Sequence, residues 1–152
     1  MRVYVAGPMT KGRWEENTRA AIDAGAVLMR NGFEPFIPHL YCLLDMVHPQ
    51  HYERWMDLDF SYIRVCECLL RIPGESTGAD REIEYATTRN LPVFTNVADL
   101  ITWRDEQQQK VRELATDIQR VESTQERGTR IVPPLGGTLH DGERAEEKGQ
   151  GT

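Results

Sequence analysis

Seven consecutive residues, Ser76-Thr77-Gly78-Ala79-Asp80-Arg81-Glu82, combine a hydroxyl, a glycine and a carboxylate at a spacing suited to chemistry on an anionic or sugar-bearing ligand. They follow an apolar run, Cys68-Leu69-Leu70-Arg71-Ile72, and a Pro73-Gly74 turn, an order that reads as strand, tight loop and helix start. A helix start offers backbone N–H groups without intrahelical partners. Together with the Ser76 hydroxyl these suit a phosphate or a sugar phosphate. Glu82, about one turn into the helix, can bring its carboxylate to the same crevice as a nucleophile or general base. The same acid could instead complement the helix dipole. The heptapeptide alone leaves both readings open.

Two further acids, Asp57 and Asp59, fall on a helix predicted over about 50–65. At a spacing of two they point in different directions, so at most one serves a given site. Asp59 stands near the carboxyl end, where the dipole disfavours it, and a residue that breaks a local rule is a functional candidate. An exposed surface aspartate is the alternative. The loop after the first strand holds Lys11, Gly12 and Arg13, which either bind a phosphate or form a solvated basic loop. It is neither a Walker A loop nor a Gly-x-Gly-x-x-Gly fingerprint. His39, His48, His51 and His140 include no pair at helical metal spacing, and no nucleophile elbow accompanies them. His39, directly after the second strand, either lines the pocket or is a polar loop residue. The Cys66-Glu67-Cys68 run lacks the further ligands a zinc site needs. No metal and no cofactor is expected.

The elements that must position these groups alternate. Strands are predicted at 2–6, 33–37, 67–72 and 93–95, and helices at about 15–30, 50–65, up to 89 and 98–125. Leu40, Leu43, Leu44 and Met46 suggest a short helix before His48-Pro49. The stripe of the 50–65 helix is expected from Trp55, Leu58, Tyr62 and Ile63. Strand–helix alternation with short connections implies an α/β fold, flavodoxin-like or Rossmann-like, with a parallel sheet covered on both faces in three layers. Ligands in such sheets bind beyond the carboxyl ends of the strands at a switch point, which singles out the loops 7–13 and 73–78.

With 152 residues, the chain is expected to hold one α/β domain over 1–127. Its core is expected in the first hundred residues or so. Residues 128–152 hold half of the 12 glycines and read as a mobile Gly/Pro-rich tail, with a short edge strand possible at 130–132. The net charge of −6 argues against nucleic acid. No stretch reaches the roughly 18 apolar residues of a membrane span. Three cysteines that cannot all pair, two of them in or beside a strand, point to a reducing, cytoplasmic setting.

The ordered set Tyr4-Val5-Ala6-Gly7-Pro8-Met9-Thr10, the acidic helix with Asp59, and Ser76-x-Gly78-x-x-x-Glu82 followed by Ala86 resembles the nucleoside 2-deoxyribosyltransferase superfamily, which includes 2'-deoxynucleoside 5'-monophosphate N-hydrolases. The resemblance covers about residues 2–96. It implies cleavage of an N-glycosidic bond of a nucleoside or its 5'-monophosphate, by hydrolysis or by transfer to a second base. Glu82 matches the nucleophile that attacks the anomeric carbon. Asp59 matches the acid that assists proton transfer. Tyr4 and Gly7, with Pro8 beside them, match the floor of the substrate pocket; Ser76, Gly78 and, more loosely, Arg13 match the groups near the 5'-phosphate. Pro8 stands where the monophosphate hydrolases tend to have serine, and Glu67 where relatives usually have aspartate. The resemblance also implies a homo-oligomer, a dimer or larger. The expected partners are a small nucleoside or nucleotide and further copies of the chain, with no nucleic acid and no membrane. The reading from a different class is a nucleotide-binding or sensing protein on the same fold, without turnover.

Overall fold

The computed structural model describes residues 1–128. The tail expected over 128–152, with its edge strand, therefore lies outside the described residues apart from Gly128. Met1–Val111 forms one compact unit and a second begins at Arg112. Among the described residues four strands, β1 (Arg2–Ala6), β2 (Glu34–Phe36), β3 (Cys68–Arg71) and β4 (Val93–Phe94), alternate with five helices. The helices are α1 (Trp14–Arg30), α2 (Cys42–Val47), α3 (Tyr52–Ile63), α4 (Thr77–Thr88) and α5 (Val97–Gly128), and a 3-10 turn over Pro38–Tyr41 leads into α2. Every element expected within residues 1–128 forms, with ends that differ by a few residues, and the predicted short helix becomes the 3-10 turn plus α2.

The sheet is wholly parallel in the order β2-β1-β3-β4. The chain therefore moves one way from β1 to β2 and returns past β1 to reach β3. This makes the fold α/β with flavodoxin-like order and a switch point between β1 and β3. Register aligns Tyr4 with Leu69 and Ala6 with Arg71. Period-two alternation then sorts the core into two faces. Val3, Val5, Cys68 and Leu70 pack with Ala21 and Leu28 of α1 and Leu100 of α5. Tyr4, Ala6 and Leu69 pack on the opposite face with Ile63 of α3 and with Ala79 and Ala86 of α4. Tyr4 thereby faces the two helices that carry the candidate acids.

Local chemistry sets the element ends. Two glutamates open α1, and Arg30 lies in its last turn, both favourable to the dipole. Gly32 (φ +78°) follows, in the left-handed region that ends helices, as the Asn31-Gly32 pair leads one to expect. The buried stripe of α3 differs from expectation. Met56 and Ile63 are buried, whereas Trp55, Leu58 and Tyr62 are half-buried, and Trp55 lies on the wall of a cavity. Among the described residues no helix is long and apolar enough to cross a membrane.

Candidate active site

A cavity of about 590 Å³ opens beyond the carboxyl ends of β1 and β3, at the switch point. Gly7, Met9 and Lys11 reach it from the loop after β1, and His39 and Tyr41 from the 3-10 turn. From α3, Tyr52, Trp55, Met56 and Asp59 line it at i, i+3, i+4 and i+7, one continuous helical face. The start of α4 contributes Ser76 to Ala79 and, one and a half turns on, Glu82. Gly7 allows the close approach of β1 and β3 there, since a Cβ on it would lie 2.3 Å from Ile72 Cγ1.

Behind the cavity wall the fully buried Tyr4 hydroxyl donates to Glu82 Oε1 at 2.8 Å. The Asp59 carboxyl lies beside them, close enough to act electrostatically on both Tyr4 and Glu82. Glu82 is 6% exposed, and burial followed by the neighbouring Asp59 charge pushes its pKa up to about 8, against the pull of the Tyr4 hydrogen bond and of Arg71. Burial likewise pushes Asp59 up to about 6. Burial, then the two carboxylates, raise Tyr4 well above the usual tyrosine range, so its hydroxyl stays a donor. The buried Glu82 and the half-buried Asp59 perturb one another and titrate as a coupled pair that holds one proton between about pH 6 and pH 8. Such a pair can supply an anion and an acid to one substrate. Asp57, by contrast, is exposed, so the pair of acids on α3 divides as their spacing requires.

The helix start is built as the sequence indicates. Ser76 is the N-cap, its Oγ accepting from the Ala79 amide at 3.1 Å, which leaves its O–H available to donate. Gly78 keeps this turn accessible beside Tyr52, whose hydroxyl would lie 3.3 Å from a Cβ on it. Three expected positions do not line the cavity, Tyr4 being wholly buried and linked to it only through Glu82. Arg13 is the N-cap of α1, 71% exposed, paired with Glu16 at 2.9 Å, and does not line the cavity. The cation on the cavity wall is Lys11, two residues earlier, which reaches Glu75 across the two loops at 3.2 Å. Pro8 is buried behind the wall, where its carbonyl accepts from His39 Nε2 at 2.9 Å. His39 is 2% exposed, burial lowers its pKa, and its Nδ1 has no partner. With Nε2–H donating to a carbonyl, the ring is neutral and Nδ1 carries the lone pair.

Sequence reasoning missed several residues of the site. Arg71, at the end of β3, donates to the Ile72 and Gly74 carbonyls and faces Asp80 at 3.6 Å, which fixes a cation near Glu82. Asp45 accepts from Trp55 Nε1 at 2.8 Å and from the Gln50 amide at 3.1 Å. Arg81 forks onto Glu53 at 3.0 and 2.9 Å and lies over the Tyr52 ring, tying the open ends of α3 and α4 together. The helical spacing of Tyr52, Trp55, Met56 and Asp59 was the signal that could have found the α3 wall.

Among curated proteins no sequence matches the chain. Residues 1–95, which hold Tyr4, Asp59, Ser76, Gly78 and Glu82, match the sequence profile of DUF4406, described as a domain of unknown function, and the chain belongs to that family.

Proposed function

We propose that this protein cleaves the N-glycosidic bond of a nucleoside or, by preference, of its 5'-monophosphate. The observation that carries the reading is the coupled Glu82–Asp59 pair in a cavity that ends in the capped start of α4, with Glu82 buried and held by the Tyr4 donor. In this reading a Glu82 carboxylate oxygen attacks the anomeric carbon. The C–N bond breaks, its electron pair stays on the base nitrogen, and the proton held by Asp59 passes to the base. Positive charge developing on the sugar favours the anionic form of Glu82, which the Tyr4 hydroxyl and Arg71 already support, so the shared proton moves onto Asp59. Water or a second base then attacks the anomeric carbon and releases Glu82. In either case Asp59, left anionic by the first step, takes the proton that water or the N–H of the acceptor base loses.

The aromatic and methionine side chains of the wall suit a planar leaving group. Ser76, the amides of Thr77 and Gly78, and Lys11 suit a phosphate. Three free cysteines, two of them buried, fit a cytoplasmic setting. Chromatography of a panel of nucleosides and 5'-monophosphates incubated with the protein, with and without an acceptor base, tests the proposal. Free base, or a new nucleoside when the acceptor is present, is expected. Binding without release of base from any member would leave a nucleotide sensor in place of an enzyme.

A further inference from the structure

The two ends of the cavity differ in chemistry. On the α3 wall, Tyr52 and Met56 face the start of α4, where their Oη and Sδ would lie 3.3 and 3.9 Å from a Cβ on Gly78. Trp55 faces the 3-10 turn and α2, its ring centroid 6.0 Å from that of Tyr41 at an interplanar angle of 27°. Asp59, one turn further along α3, acts on both Glu82 and Tyr41. Burial, then the Tyr62 hydroxyl and last the Asp59 charge push Tyr41 up to about 12. In the catalytic reading the phosphate lies at the start of α4 and the anomeric carbon at Glu82. That leaves the Tyr41–Trp55 end, with Asp59 beside it, for the base.

Asp45, half-buried on α2, lines the cavity at that end. Its Oδ1 accepts from Trp55 Nε1 at 2.8 Å and from the Gln50 amide at 3.1 Å. Two donors on one oxygen fix the orientation of the carboxylate, and Oδ2 has no hydrogen-bond partner among the described residues. The segment 38–51 holds no lysine or arginine that could pair with it. We propose that Asp45 reads the leaving base, its Oδ2 accepting an N–H from an exocyclic amino group and repelling a carbonyl at the same ring position. The preferred substrates are then nucleotides of an amino-bearing base, cytosine or adenine, over those of uracil or hypoxanthine. Aromatic rings hold any base by its faces and discriminate little between such pairs. A fixed acceptor at the edge of the base discriminates by the atom that meets it.

The inference rests on the catalytic reading for the direction in which the substrate lies, and its test separates the two. The probes are the 2'-deoxynucleoside 5'-monophosphates of cytosine and uracil, and of adenine and hypoxanthine. Calorimetry on the full chain carrying Glu82→Gln, in which the proposed nucleophile is gone, gives their affinities. Whichever pair binds more tightly should favour its amino member by about 10-fold. Asp45→Asn, in the same background, keeps the acceptor that Trp55 and Gln50 orient and presents N–H groups in place of Oδ2. The preference should therefore reverse toward the carbonyl-bearing member, which a merely structural role of Asp45 would not produce. Asp45→Ala should abolish the preference without reversing it. Equal affinities within the pair, a preference that Asp45→Asn leaves as it was, or failure of all four nucleotides to bind overturns the inference. Base release by the wild type with a selectivity untouched by Asp45→Asn also overturns it and leaves the catalytic reading standing. A reversal in binding with no base released by the wild type supports Asp45 as the reader and removes the reaction.

Discussion

The Tyr4 hydroxyl and Glu82 Oε1, 78 positions apart in sequence, meet at 2.8 Å. The meeting follows from topology. Tyr4 points to the α3/α4 face of β1, β3 lies beside β1, and α4 returns over both strands. Tyr4→Phe keeps the ring in the core and removes the donor. A hydrogen bond to a charged group is worth about 1.5–3 kcal/mol, so base release should fall about 10- to 100-fold with the fold intact. Kinetics beside a thermal melt check this, and an unchanged rate would deny the hydroxyl a role in holding the Glu82 charge.

The shared proton predicts a bell-shaped dependence of kcat/KM on pH. The proposed mechanism needs the carboxyl pair singly protonated, so activity should rise through about 6 and fall through about 8. Asp59→Asn should lower the rate and abolish the alkaline limb, leaving one rise as Glu82 ionises. It should also slow substrates with poor leaving bases more than those with activated ones. A bell that survives the substitution would place the second titration elsewhere.

The same groups link stability to pH. The folded pKa of Glu82, about 8, lies above its ordinary 4.5, so the native state binds more protons than the unfolded chain between those values. The associated stability is intact below about pH 4.5 and is lost as pH rises through about 8. Glu82→Gln is uncharged and still accepts from Tyr4, so its melting temperature relative to wild type should climb over that window and level off above it. A difference independent of pH would mean that Glu82 is already ionised in the folded protein.

Much of this was legible in the sequence because it is local. Glu82, Ser76 and Gly78 stand in one heptapeptide whose strand–turn–helix order sets its own geometry, and Asp59 gave itself away by its conflict with the helix dipole. The alternation of elements implied the parallel sheet. Contacts between distant segments were not legible. Whether Lys11 or Arg13 faces the cavity depends on where α1 begins, and the Arg13–Glu16 pair at the start of α1 draws Arg13 away. Pro8 could be read as a wall residue, but His39 takes its carbonyl from behind. Asp45 and Arg71 become meaningful through partners on other elements or through the position of a strand end.

Ser76 serves as a cap in the structure and as a phosphate donor in the proposed function, and two substitutions separate the roles. Ser76→Ala should lose about 1 kcal/mol of stability, a few degrees of melting temperature, through the cap. Ser76→Asp keeps a capping oxygen but opposes a dianion, so it should retain stability and lose kcat/KM for a 5'-monophosphate more than for the nucleoside. Equal efficiency of the wild type on both substrates would remove the phosphate from the account.

The most direct measurement is the rate of base release by wild type and by Glu82→Ala on the best substrate of the panel. The truncation should leave the circular dichroism spectrum unchanged and reduce turnover by at least about 10³-fold, because the attacking oxygen is gone. Release of base by Glu82→Ala at the wild-type rate would contradict the assignment of Glu82 as nucleophile and, with it, the reading of the Glu82–Asp59 pair as the catalytic centre.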